Sequence, residues 1–207
     1  MQPYLGRVFA DFPESRAEIA RAMEQAYRDN GEEGLLASAH ATMFAVGEAV
    51  TPYYLLRAEG RDLIAFYRMT LSMANALNQN DPIRCANFYL GQPMADGSPA
   101  VDTTDETVAS FSMQMQVVTG NLYLNAADQT IVADTALANQ TLTNVWGTLA
   151  TQMSQQTIEL VAQQRPPTTG DDYVQYCTGV SMFFGEVLRQ PREETINVFR
   201  FFQGLAS

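Results

Sequence analysis

Apolar residues recur at intervals of three and four along most of the chain, the period of helices buried on one side. The first group is Leu5, Val8, Phe9 and Phe12, closed by Pro13. From Glu14 to Asn30 the stripe Ile19, Met23, Ala26 and Tyr27 opposes a charged side on which Glu24 precedes Arg28, the favourable pairing order. Asn30-Gly31 ends that helix. A second starts near Glu32 and carries Leu36, His40, Met43, Phe44 and Gly47 on one face. Pro52 is expected to bend or break it, sending Tyr53, Tyr54 and Leu55 in a new direction. Arg61 to Gln79 is apolar almost all round, which predicts a central buried helix. Asn80-Asp81-Pro82 offers an N-cap and a first-turn proline for a short helix holding Cys85, Phe88 and Tyr89.

Gly91 to Asp102 is the clearest break, and Asp102, Thr103 or Thr104 is expected to cap the next helix. Val108, Phe111, Met115, Val118 and Leu122 then form a short seam, continued by Leu142, Val145, Leu149, Met153 and Leu160. The seam predicts two long helices joined near Asn125 to Asp128 as an antiparallel hairpin. A rival exists, because Phe111, Met113, Met115 and Val117 also alternate with period two before Thr119-Gly120-Asn121, as in a β-hairpin over 111–124. The long flanking helical patterns favour helix. Beyond Arg165-Pro166-Pro167, a strong stripe runs from Tyr173 to Leu188, and a last helix opens at Glu193 and Glu194. The expectation is all-α: about eight helices in one bundle-like domain spanning 1–207. Its parts are an N-terminal group over 1–91, a charge-poor hairpin over 103–165 and returning helices over 171–207.

Composition sharpens this picture. The 207 residues hold 23 acids and 12 bases, for a net charge of −11, and every base is arginine. Without lysine there is no Schiff-base, P-loop or protein-kinase chemistry. The acidic balance opposes nucleic acid and anionic membranes as partners. No apolar run reaches the length of a membrane span. Residues 1–12 include Arg7 and Asp11 and do not read as a signal peptide. The bases are confined to the two ends of the chain: none lies between Cys85 and Gln164, where Thr, Gln and Asn dominate the polar positions.

Candidate chemistry is sparse. Cys85 and Cys177 are too few and too distant for a zinc motif; they are one disulfide, implying an oxidising compartment, or two buried thiols, implying the cytoplasm. His40 is the one histidine. With Tyr53, Tyr54 and Arg57 it makes a candidate polar site, although its apolar neighbours favour a core histidine. Gly179-Val180-Ser181 resembles a nucleophile elbow but lacks the second glycine and a preceding strand. Asp96, Asp102, Asp105 and Glu106 surround a glycine-containing loop, and capping explains them better than calcium. No cofactor or metal is expected.

In the last helix Ile196, Val198, Phe199, Phe201, Phe202 and Leu205 exceed one core stripe. A helix apolar on two sides is often buried once by its own domain and once by a partner or a second copy. The leading expectation is a non-enzymatic interaction module, an adaptor, assembly or inhibitor protein outside the cytoplasm of a bacterium. The alternatives are a helical carrier of a small apolar or amphipathic ligand and a hydrolase-like enzyme centred on His40.

Overall fold

The structure is a computed structural model that describes residues 3–102, 104–162 and 165–205, without the side chains of 3, 33–41, 43, 44, 48 and 205. Among these residues it is all-α, with no strand. In chain order the helices are α1 (Pro3–Asp11), α2 (Pro13–Leu55), α3 (Gly60–Asn80), α4 (Pro82–Leu90), α5 (Glu106–Leu124), α6 (Thr135–Leu149), α7 (Gln155–Val161), α8 (Gly170–Val187) and α9 (Arg192–Leu205).

The 43 residues of α2 are two helices in one. Gly31 has φ 65° and ψ −150°, outside the helical region and open only to glycine. A straight helix of that length would span about 60 Å. Yet Phe12, just before α2, meets Tyr53 and Tyr54 at its end, with ring centroids 4.9 and 6.1 Å away. The chain therefore folds back at Gly31, as the Asn30-Gly31 stop predicts. Pro52 does not break the second arm, which continues to Leu55. So close to the helix end, the missing N–H of proline removes only one intrahelical bond.

Side-chain caps set most other helix starts. Asp81 accepts from the N–H groups of Ile83 and Arg84, as expected from Asp81-Pro82. The cap of α5 is Asp105, which accepts from Val108, whereas Asp102 bonds the N–H and hydroxyl of Thr104. Thr169 and Asp172 form a reciprocal capping box at the start of α8.

Helix α3 is the hub, packed against α5, α4, α8 and α9. A ladder of rings runs through it: Tyr89 of α4 stacks on Phe184 of α8, Phe184 on Tyr67 of α3, and Tyr67 on Phe199 of α9. Cys85 and Cys177 form a disulfide between α4 and α8, with Cα atoms 5.8 Å apart and both residues fully buried. The bridge staples the returning C-terminal helices to the N-terminal group.

The segment after the break differs from the expected arrangement. Residues 111–124 are helical, which disposes of the β-hairpin. But α5 and α6 do not pair along their lengths: α5 lies on α3 and α1, and α6 on α9 and α8. Short loops make helices antiparallel neighbours, whereas residues 125–134 form a longer irregular connector that carries the chain to another part of the core. No helix among the described residues is long and apolar enough to cross a membrane.

Candidate functional site

The apolar surplus of α9 is largely absorbed by its own chain. Val198 and Phe199 are fully buried. Ile196 packs onto the backbone of Gly60, where a Cβ would fall 2.3 Å from its Cδ1. The ring of Phe202 lies 5.8 Å from that of Phe183. Helices α6 and α3 thus cover the two sides read as one core face and one partner face. The expected surface of six residues narrows to Phe201, since the side chain of Leu205 lies outside the described residues.

Phe201 faces the connector between α5 and α6. Three of its backbone N–H groups tie that connector down: Ala127 N donates to the Arg57 carbonyl at 2.9 Å, Ile131 N to the Leu56 carbonyl at 2.9 Å, and Asp134 N to Asn197 Oδ1 at 2.8 Å. In addition, the Asn125 side chain donates to Asp62 and Asp128 accepts from Arg7. Asn197 is itself anchored, its amide donating to the Glu193 carbonyl. The fixed connector and α9 enclose an open groove of about 410 Å³ walled by Leu56, Ile131, Val132, Ala133 and Phe201. Thr130 and Thr135 add hydroxyls, and Arg200 adds a cation. Val132 is 83% exposed, the most exposed large apolar side chain among the described residues.

Arg200 is electrostatically unusual. Arg7, Arg28, Arg61, Arg84, Arg165 and Arg189 each face a carboxylate. Arg57 lies over the Tyr53 ring, 3.6 Å from its centre. Arg200 makes one long bond, from Nη2 to the Ala58 carbonyl at 3.4 Å, and its Nε, like that of Arg57, is buried with no partner among the described residues. No carboxylate among the described residues stands within ion-pair distance of it. Burial lowers its pKa from the ordinary guanidinium value. An unpaired, partly desolvated guanidinium beside apolar walls is suited to an anion with an apolar neighbour.

The polar candidates divide. Tyr53, Tyr54 and Arg57 do come together, but as a packed aromatic group. Tyr54 is fully buried, donates to Asp11 at 2.9 Å and stacks on Tyr123. Burial, and then the bond to Asp11, push its pKa far up, so it stays a neutral donor. His40 lies in α2 about 20 Å of helix rise before Tyr53, and its side chain is outside the described residues. Ser181 shares a 3.3 Å hydrogen bond with Tyr89, whose pKa burial raises to about 12.

Among the described residues no three of His, Cys, Asp and Glu gather as metal ligands. Asp96 and Asp102 close local turns and Asp105 caps α5. A second open groove, about 380 Å³, lies near the disulfide between Tyr89, Leu90, Leu160, Arg165, Pro166 and Tyr176. Its cation is already satisfied, because Arg165 grips Asp172 through two bonds of 2.7 and 3.0 Å.

The connector residues and Arg200 escaped sequence reasoning. Ile131-Val132 has no helical period, and Arg200 reads as a solvated charge until its surroundings are known. In comparisons with protein families, with curated proteins and with solved structures, nothing matches this chain.

Proposed function

We propose that the chain is a non-enzymatic protein-interaction module that docks a partner in the groove between the connector and α9. The observation that carries this reading is Val132, left 83% exposed on a connector whose backbone is hydrogen-bonded to Leu56, Arg57 and Asn197. An apolar side chain left in water beside Phe201 favours burial by another molecule. The base-free segment and the last helix, the two regions singled out by composition and pattern, meet there. The groove is open, which supports docking of a protein segment over enclosure of a small ligand. The buried disulfide supports action in an oxidising compartment such as the periplasm.

The test is quantitative pull-down from the native host under non-reducing conditions. Val132→Asp should deplete a specific protein that wild type and Val174→Asp both retain, Val174 being exposed elsewhere on α8. Equal retention by all three would remove the groove from consideration.

A further inference from the structure

Resting on that docking reading, we infer that the groove selects a partner segment carrying an acidic side chain between apolar residues, with Arg200 binding the carboxylate. The protein has nearly twice as many acids as bases, and its other partly buried arginines have found a carboxylate or a ring. Arg200 has neither among the described residues, although it lines an open groove. A guanidinium partly withdrawn from water without a counter-charge is less well solvated in the free protein, and an incoming carboxylate reaching its groove-facing side offsets that cost with charge-assisted bonds. The surrounding Leu56, Ile131, Val132 and Phe201 provide contacts for apolar residues on either side of the acid. The nearest acid in sequence to the lining, Asp134, is turned to the start of α6, where it accepts from Leu137 N. One guanidinium with two threonine hydroxyls matches a side-chain carboxylate, which needs a single fork.

The experiment uses the full chain, labelled with ¹⁵N, and three probes: acetyl-Leu-Glu-Leu-amide, its glutamine counterpart, and acetyl-Leu-Gln-Leu with a free C-terminal carboxylate. Arg200 Nε–H and the amides of residues 130–133 report binding. The glutamate peptide should bind at least about tenfold more tightly than the glutamine peptide. Arg200→Gln should abolish that preference, and Arg200→Lys should keep part of it, with both variants retaining the wild-type amide pattern elsewhere. Equal affinities, no binding, or a preference that survives Arg200→Gln would overturn the inference. Equally tight binding of the free-carboxylate peptide would overturn the assignment to a side-chain acid. Loss of the pulled-down partner with Val132→Asp but not with Arg200→Gln would keep the docking reading and sink this one. Retention with Val132→Asp would sink the docking reading itself.

Discussion

Phe12 and Tyr53 stand at opposite ends of α2, yet their rings meet edge to face at 4.9 Å. That contact exists because Gly31 reverses the chain, and it lets both arms of α2 contribute to one core through Ile19, Val46 and Val50. Nothing lies within 4 Å of where a Gly31 Cβ would be, so a side chain there would meet no clash and only the cost of the positive φ.

Gly31→Ala should therefore destabilise the protein by about 1–3 kcal/mol through backbone strain alone. Gly147 in α6 has equally open surroundings but helical geometry, so Gly147→Ala should stabilise by about 0.4–1 kcal/mol. Urea midpoints of the two variants decide this, and shifts of the same sign would contradict the fold-back.

Gly179 makes the opposite case, where space is the constraint. An added Cβ would lie 2.5 Å from Val161 Cγ2 and 2.7 Å from Thr157 Cγ2, forcing α7 and α8 apart. Gly179→Ala should cost about 1–3 kcal/mol, read from the same denaturation curves.

The disulfide closes a separation of 92 residues, for which the chain-entropy model gives roughly 4.6 kcal/mol. Cys85→Ala with Cys177→Ala should lower stability by about that amount. Because both sulfurs are buried, alkylation of the native protein should find no free thiol until reductant and denaturant are combined. Intact mass reports this; two thiols reacting without reduction would refute the bridge.

Asp172 is buried and accepts hydrogen bonds from Arg165, Gln156, Thr168 and Thr169. The arginine contributes most to holding its pKa far below the ordinary carboxylate range, and the Thr168 N–H comes next. A depressed pKa contributes stability that is complete above the unfolded value, about 4, and is lost as pH falls below it. Asp172→Asn should lower stability at pH 7 and flatten its decline between pH 4 and pH 2. Parallel pH profiles for wild type and variant would mean that Asp172 does not carry this dependence.

Much of the helical plan was legible because it rests on local signals. Asp81-Pro82, Asn30-Gly31 and the stripe from Tyr173 to Leu188 act through the nearest turn of chain. Pairing between helices was not legible. The seam from Val108 to Leu122 announces an apolar face without naming what covers it, and the same holds for Leu142 to Leu149. In the folded chain α3 covers the first, while α9 and α8 cover the second. The surplus on α9 misled for the same reason, since Phe199 finds Tyr67 inside the molecule. The groove was hidden because its wall is an irregular segment fixed by bonds to Leu56, Arg57 and Asn197, partners remote in sequence.

Photo-crosslinking in the native host probes the proposed docking face between the connector and α9 at the point of contact. A photoreactive residue at position 132 in the native host should join the chain to one specific protein, and the same residue at 174 should not. Absence of a product at 132, or the same products from both positions, would mean that the groove is not a docking face.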